Sequence, residues 1–310
     1  MKIVITGALG HIGSKVIREI PETFQEPEIV MIDNMLTQRY CSLFNLPARG
    51  KYSFIEADVL NMELCPIIEG ADFVLHLAAI TDATSSFKNK DQVENVNYKT
   101  TVRVSEACNE VGCPMIHFST TSVYGTQQNV VDEDCSPEEL RPQSPYAETK
   151  LREEQFLQNF GAAENLDFLI CRFGTICGIS PGIRFHTAVN KFCWQAVMKQ
   201  PLSVWRTALF QKRPYLVLSD AVKAIIFIIK NNLFDKRIYN VLSENRTVHS
   251  IIQCIKQYIP QLNIQYVNAE IMNQLSYEVS NLRFKEQGFE FSGSVDKSIQ
   301  ETIQLLLTVK

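Results

Sequence analysis

The stretch "KIVITGALGHIG", residues 2–13, decides the fold. A short apolar run of buried-strand length leads into three glycines, Gly7, Gly10 and Gly13, at three-residue intervals, at the start of a helical pattern. Glycines let the backbone turn tightly and approach a pyrophosphate, whose charge is favoured by the amino-terminal end of a helix. The stretch therefore predicts a dinucleotide-binding turn; an ordinary glycine-rich turn is the alternative.

Asp33 follows the second apolar run, 20 residues beyond Gly13. A carboxylate at this place can accept hydrogen bonds from the ribose hydroxyls of NAD and repels the additional phosphate of NADP. NAD is therefore the predicted cofactor, with a solvated loop aspartate as the alternative.

Short β-rich runs alternate with helical patterns through the first half of the chain. The runs lie at 2–6, 29–32, 52–56, 73–77, 115–119 and 168–172, and amphipathic stretches at 91–111 and 144–160 are long enough for crossover helices. This alternation predicts an α/β fold, a doubly wound parallel (Rossmann) sheet with helices on both faces.

The pattern changes after residue 176. A loop with glycine and proline leads into a helical pattern, and we expect a further helix, opened by a turn, over 213–230 and a returning strand at 237–242. We predict an NAD-binding Rossmann domain over 1–176, completed by about 213–245. A smaller interleaved C-terminal α/β substrate lobe would comprise 177–212 and 246–310.

Composition excludes several classes of protein. The 310 residues are 45% hydrophobic and 21% charged with a net charge of −4, which is typical of a globular protein without a basic track for nucleic acid. The longest apolar run, "AIIFIIK" at 224–230, is too short for a membrane span. Without a signal peptide, and with nine scattered cysteines that read as free thiols, we expect a cytoplasmic protein with no metal site.

The segment "SPYAETK", residues 144–150, carries the predicted chemistry. Ser144 is a good N-cap and Pro145 suits the first helical position, so Tyr146 and Lys150 lie in the opening turns of a helix. Residues four apart share a face, so the ammonium of Lys150 can lower the phenol pKa of Tyr146 from about 10. Tyr146 would then exchange a proton with a substrate hydroxyl at neutral pH. The alternative is a surface helix with an incidental tyrosine and lysine.

These motifs, with others in the same order, resemble the extended short-chain dehydrogenase/reductase family, in particular its NAD-dependent sugar-nucleotide epimerases and dehydratases. The resemblance runs from Met1 to about residue 300. The further motifs are "IDN" (32–34), "ADV" (57–59), "HLAA" (76–79), "VNYKTT" (96–101), "FSTTSVYG" (118–125), "RFGTICG" (172–178), "RPYLVLSD" (213–220) and "YEVSNLRFKEQGFEF" (277–291).

The resemblance implies that Tyr146 is the acid/base, that Lys150 tunes it and holds the nicotinamide ribose, and that Thr120 hydrogen-bonds the reacting sugar oxygen. The residues implied to bind the cofactor are Gly7, Gly10, His11, Ile12, Gly13, Asp33, Asn34, Asp58, Val59, Leu77, Ala78, Ala79, Asn97, Tyr146 and Lys150. The residues implied to bind a nucleotide-diphosphate sugar are Thr81, Thr120, Thr121, Thr175, His186 and, on the diphosphate, Arg213.

The implied reaction is hydride transfer at C4 of the hexose, with a 4-epimerase as the first hypothesis. A C4 dehydrogenase or 4-keto-reductase with net cofactor change is the second, and a non-catalytic NAD-binding regulator is the third. Thr121 and Ser122 stand where 4,6-dehydratases of the family carry Asp-Glu, which argues against dehydration. Ser122 also replaces the cysteine of relatives that epimerise two carbons.

Two departures concern the substrate. Thr175 stands where the family has a substrate-facing asparagine, and residues 273–275 lack a second arginine for the diphosphate. The resemblance further implies a homodimer in which segments 91–111 and 144–160 of two subunits form a four-helix bundle.

Overall fold

The computed structural model describes residues 1–82, 85–125, 130–267 and 277–308. The departure at 273–275 lies outside these residues. The strands are β1 (Lys2–Thr6), β2 (Glu28–Asp33), β3 (Lys51–Glu56), β4 (Phe73–His76), β5 (Met115–Thr120), β6 (Val130–Val131), β7 (Phe168–Phe173), β8 (Thr175–Cys177), β9 (Leu202–Trp205), β10 (Lys212–Val217), β11 (Ile238–Val241), β12 (Glu244–Thr247), β13 (Ile264–Val267) and β14 (Glu278–Val279).

Helices follow or precede these strands along the chain. They are α1 (Gly13–Thr23), α2 (Cys65–Ile68), α3 (Lys90–Val111), α4 (Pro145–Glu164), α5 (Ala188–Val197), α6 (Leu218–Lys230), α7 (Val248–Tyr258), α8 (Leu282–Glu286) and α9 (Val295–Leu307). Among the helices of the described residues, none combines the length and the apolar character that a membrane crossing requires.

The main sheet has seven strands in the order β11-β7-β5-β4-β1-β2-β3, and all of its pairings are parallel. The predicted doubly wound parallel sheet is confirmed. The chain moves outward from β1 to β3 on one side and then from β4 to β11 on the other. The strand order therefore reverses between β1 and β4, the place where open α/β sheets bind ligands beyond the carboxyl ends of their strands.

Apolar side chains cover both faces of this sheet. Helices α1 and α6 contribute Ile17 and Ile225 to a cluster on one face, and α3 and α4 contribute Val104 and Leu157 to a cluster on the other. Burial on both faces explains why the strands are continuous apolar runs rather than alternating ones. A further apolar cluster packs α5, α7 and α9 against β9 and β10.

The predicted helix over 213–230 is wrong in its first part. Residues 212–217 form β10, which pairs in parallel with β8 and antiparallel with β12, and the helix begins only at Leu218. Pro214 lacks a backbone N–H and disfavours a helix interior. A short apolar run looks alike in a buried strand and a buried helix, so periodicity alone could not separate the two.

Candidate functional site

The glycine-rich turn lies where the strand order reverses. Gly7 has a φ of +67°, and a Cβ atom there would lie 2.6 Å from the backbone nitrogen of Ala78, just beyond β4. A Cβ at Gly13, the first residue of α1, would lie 2.5 Å from the carbonyl oxygen of Ala8. No side chain fits at either position, so the glycines keep a backbone-lined cradle at the amino-terminal end of α1.

Asp33 is held at the rim of this cradle. Its Oδ2 accepts a hydrogen bond from the backbone of Leu9 at 3.1 Å and its Oδ1 accepts one from Met35 at 3.0 Å. The next residue, Asn34, is exposed and accepts from Leu36 N. Asp33 is thus fixed beside the glycine-rich turn, as a ribose-binding carboxylate requires.

The opposite wall of the cradle follows β4. Leu77 N donates to Thr6 O at 3.0 Å, and Ala78 N lies 3.3 Å from Thr6 Oγ1. The side-chain amide of Asn97 accepts from Ile80 N at 2.8 Å and donates to Ile80 O at 2.9 Å. Asn97 therefore supports the wall from α3, and its contact with the cofactor stays a prediction.

Asp58 and Val59 follow β3, whose last residue, Glu56, pairs with Asp33 at the end of β2. Asp58 Oδ1 accepts from Leu60 N at 2.9 Å and caps a short 3-10 turn, and Val59 is buried. Their contact with adenine stays a prediction.

The start of α4 is as predicted. Ser144 Oγ accepts from Ala147 N at 3.2 Å, and Pro145 is the first helical residue. Tyr146 is half-buried and Lys150 is buried. The ammonium of Lys150 donates to Glu153 Oε2 at 2.9 Å. This ion pair was not predicted from the sequence.

The predicted fall in the pKa of Tyr146 is wrong for this structure. Burial disfavours the charged phenolate and raises the pKa above its ordinary value of 10.0, Lys150 opposes that rise, and Glu153 adds to it. The sequence placed the lysine correctly. It gave no information on burial or on the neighbouring carboxylate.

Thr120 ends β5 and faces the same edge of the sheet. Its Oγ1 accepts from Ser122 N at 3.1 Å, while Thr121 donates to Phe173 O at 3.3 Å. Helix α4 is fastened to β5 by a hydrogen bond from Ser119 to Glu154. Residues 120 and 146 thus come from two elements that pack together beside the cradle.

Two arginines at the site were missed by sequence reasoning. Arg184 is half-buried, donates to Thr81 Oγ1, and acts electrostatically on Tyr146. Arg39 follows β2, and its guanidinium would be 3.8 Å from a Cβ atom at Gly10. Burial and then repulsion by Arg39 lower the pKa of Arg184 to about 10, so the pair forms an electropositive wall.

The loop that carries Arg184 is fastened across the glycine-rich turn. Gly182 N donates to Ser14 Oγ at 3.0 Å, and Ser180 Oγ lies 2.7 Å from His11 Nδ1. His11 is buried, with its Nε2 atom lacking a hydrogen-bond partner among the described residues. In the sequence, only the proximity of Arg184 to the predicted substrate residue His186 could have indicated that Arg184 belongs to the site. Residues in a loop follow no periodic pattern from which burial or orientation could be predicted.

The remaining predicted substrate residues lie on different elements. His186 is exposed in the Arg184 loop, where partial loss of hydration and then the charge of Arg184 lower its pKa to about 4. Thr175 opens β8, and Arg213 on β10 donates to Gln211 at 2.8 Å and lies over the ring of Tyr277. The structure assigns these three residues no role by itself.

The donor set fits a dinucleotide. The backbone N–H groups at the start of α1, the unpaired nitrogen of His11, and Arg39 with Arg184 suit a diphosphate, and Asp33 suits a ribose. Ile12 precedes α1 and Ala79 follows Ala78, and their contact with the cofactor stays a prediction.

Comparison with known proteins agrees with this geometry. Residues 3–241 match the NAD dependent epimerase/dehydratase family. An uncharacterized UDP-glucose epimerase of Bacillus subtilis is 30% identical over 264 residues, 83% of this chain and 81% of that protein. A trifunctional UDP-glucose 4,6-dehydratase of Arabidopsis thaliana is 26% identical over 97% of this chain, which spans 46% of that protein.

The fold is that of a solved epimerase. The crystal structure of UDP-glucuronic acid 4-epimerase from Bacillus cereus, in complex with UDP-glucuronic acid and NAD, superposes with a TM-score of 0.86. The two chains are 23% identical, and the superposition covers 100% of each.

Proposed function

The chain belongs to the NAD dependent epimerase/dehydratase family and is an NAD-dependent enzyme, and we propose that it is a 4-epimerase of a nucleotide-diphosphate hexose. One observation carries the proposal. Thr120 ends β5, and Tyr146 with the buried Lys150 opens α4, which is hydrogen-bonded to β5 through Ser119 and Glu154. β5 pairs with β4, whose end lies against the backbone-lined cradle at Gly7. A protein that only senses NAD has no need of a phenol with a lysine beside it.

The chemistry follows from these side chains. NAD supplies a hydride acceptor and returns the hydride. We propose that Tyr146 takes the proton of the C4 hydroxyl as the carbon is oxidised and returns it when the ketone is reduced on its other face. Thr120 would hydrogen-bond the reacting oxygen, and Lys150 would hold the ribose of the cofactor and favour the phenolate.

In this proposal, different arginines bind the diphosphate of NAD and the diphosphate of the substrate. Arg39 and Arg184 lie beside the cradle and would neutralise the diphosphate of NAD. Arg213, on a different sheet, would bind the diphosphate of the substrate, a task that suits a guanidinium fork.

Dehydration is disfavoured by the residues beside Thr120. Thr121 is buried and its hydroxyl is engaged by a backbone carbonyl, while Ser122 is exposed. Neither side chain carries the carboxyl group that proton abstraction next to a ketone and expulsion of water would use.

To test this proposal, purified protein is incubated with a panel of nucleotide sugars. Absorbance measures the redox state of the nicotinamide, and NMR measures the conversion of the sugar. We expect sugar conversion without net change in NADH. Stoichiometric NADH accumulation, or NADH consumption with a keto-sugar, would instead identify a C4 dehydrogenase or a 4-keto-reductase. NAD binding without conversion across the panel would favour the non-catalytic regulator.

We also propose a homodimer through α3 and α4. These helices expose an aromatic group in which Tyr98 meets Phe156 edge to face with ring centroids 5.9 Å apart, and Phe156 stacks on Phe160 at 5.3 Å. Arg152 lies over the ring of Tyr98, and the groove between these side chains has a volume of about 370 Å³. Partly exposed aromatic rings are typical of interface centres.

The substitution Phe156→Glu is expected to make the protein monomeric. A charge at the centre of an apolar interface is left desolvated and unpaired, which costs several kcal/mol per site. Sedimentation velocity of the wild type and the variant measures the effect, with Leu305→Glu on the exposed side of α9 as the control. A monomeric wild type, or a dimer that survives Phe156→Glu, would contradict the proposed interface.

The cytoplasmic location is a proposal as well. All nine cysteines are free thiols in the structure. Free thiols at this number are typical of a reducing compartment.

A further inference from the structure

Glu153 is a buried carboxylate that the proposed mechanism does not use. It follows Lys150 by three residues on α4 and is fully buried. Its Oε2 atom lies 2.9 Å from Lys150 Nζ, and the described residues place no second hydrogen-bond acceptor on that ammonium. Glu153 therefore fixes one N–H of Lys150 and leaves the others for ligands.

Two other elements converge on the same carboxylate. Thr101 on α3 donates its hydroxyl proton to Glu153 Oε2 at 3.0 Å. His117 on β5 places Nε2 at 3.2 Å from the same oxygen, in a contact without hydrogen-bond alignment. A buried carboxylate without such partners would cost several kcal/mol, so these contacts are needed to keep Glu153 in the core.

The contacts continue as a chain of hydrogen bonds. Thr101 Oγ1 lies 3.3 Å from His76 Nε2, and His76 Nδ1 lies 2.8 Å from Thr6 Oγ1. Ala78 N, in the wall of the cofactor cradle, lies 3.3 Å from that Thr6 hydroxyl. A buried polar path thus connects Lys150 to the cradle.

The donors of this path can be assigned in one direction. Thr101 donates its one hydroxyl proton to Glu153 Oε2, so its oxygen is left to accept from His76 Nε2. A neutral His76 that donates from Nε2 accepts at Nδ1, so the Thr6 hydroxyl donates there and accepts from the N–H of Ala78. This order needs a neutral His76 and suits an ionised Glu153, whose oxygens only accept.

The electrostatics agree with that order. Burial lowers the pKa of His76 to about 3, so it is neutral. Burial acts to raise the pKa of Glu153, but the charge of Lys150 and the contact with His117 outweigh it, and the pKa falls to about 2. The other charged groups that act on Lys150 or Tyr146 are Glu154 and Arg184.

We propose that Glu153 is a positioning residue that fixes the Lys150 ammonium beside Tyr146 and sets the pH at which Tyr146 exchanges its proton, a role that rests on the proposed function. The Lys150 charge favours the phenolate, and the Glu153 charge opposes it. If the negative charge of Glu153 is removed, it no longer offsets the effect of the Lys150 charge on Tyr146. The phenolate of Tyr146 then forms at lower pH.

The test is Glu153→Gln, which keeps the shape and the acceptor of the side chain and removes its charge. NMR of NAD-loaded enzyme with ¹³Cζ-labelled tyrosine reads the pKa of Tyr146, whose signal is assigned by its loss in Tyr146→Phe. We expect that pKa to fall by about one unit. Glu148→Gln, the same charge change on the exposed side of α4, is the control and is expected to leave it unchanged.

Glu153→Asp is the second variant and keeps the negative charge. We expect the pKa of Tyr146 in this variant to stay near the wild-type value. An unchanged or higher pKa in Glu153→Gln, with or without a loss of thermal stability, overturns the proposal and leaves Glu153 a packing residue. If the enzyme converts a nucleotide sugar, the ascending limb of kcat/KM must move to lower pH by the same amount. If it converts none, the proposed function fails, while the NMR titration still decides the role of Glu153.

Discussion

Replacing Tyr146 with phenylalanine is expected to lower kcat by about a hundred- to ten-thousandfold, the usual contribution of a positioned general acid/base. The substitution removes one hydroxyl oxygen and keeps the ring in the first turns of α4. NAD binding should therefore persist, because the cradle at Gly7 and Gly13 lies on other elements. Steady-state rates at saturating sugar, with fluorescence titration of NAD, measure both effects.

The pH profile gives a second readout of Tyr146. Its pKa is raised in this structure, first by burial, so the phenolate fraction rises only as the pH approaches that raised value. The ascending limb of kcat/KM is expected in the wild type and absent in Tyr146→Phe. Tyr258→Phe, on partly exposed α7, is the control. Turnover near the wild-type level in Tyr146→Phe would remove Tyr146 from the mechanism.

Most of the sheet could be predicted from sequence because its signals are local. The strands of the main sheet are short apolar runs, and the cradle glycines are dictated by the close approach of Ala78 and Ala8 to Gly7 and Gly13. The N-cap at Ser144 is local as well. Where a run could be either strand or helix, at residues 212–217, the outcome depended on pairing with β8 and β12, which local periodicity does not contain.

The site was less predictable because its electrostatics arise from contacts between distant segments. Arg184 reaches Thr81 only because its loop is fastened to Ser14 and His11. Glu153 looks in sequence like any charged helix residue, and its inward orientation depends on Thr101 in another helix. The resemblance to the family identified Tyr146 and Lys150 in the sequence. The rise in the pKa of Tyr146 depends on its burial and on the Glu153 carboxylate, which the sequence does not reveal.

The neighbouring carboxylate, Glu154, is expected to act on stability instead. Its two oxygens accept hydrogen bonds from Arg172 Nε at 3.0 and 3.2 Å and from Nη2 at 2.6 Å. Arg172 also donates to the hydroxyl of Tyr124 at 2.8 Å. Both members of the ion pair are buried, so the loss of one leaves an uncompensated charge in the core.

The substitution Glu154→Ala is expected to lower the free energy of unfolding by about 3–5 kcal/mol, the usual cost of breaking a buried pair by removing one partner. Urea denaturation at pH 7 measures it, with Glu148→Ala on the exposed side of α4 as the matched control. The double variant Glu154→Leu with Arg172→Met removes both charges and should regain much of the loss, since a buried pair contributes little beyond an apolar replacement. A loss below about 1 kcal/mol in Glu154→Ala would contradict the buried pair, because only an exposed ion pair contributes so little. Two adjacent residues of α4 are therefore expected to have different effects. Substitution of Glu153 should shift the pH profile, whereas substitution of Glu154 should lower the free energy of unfolding.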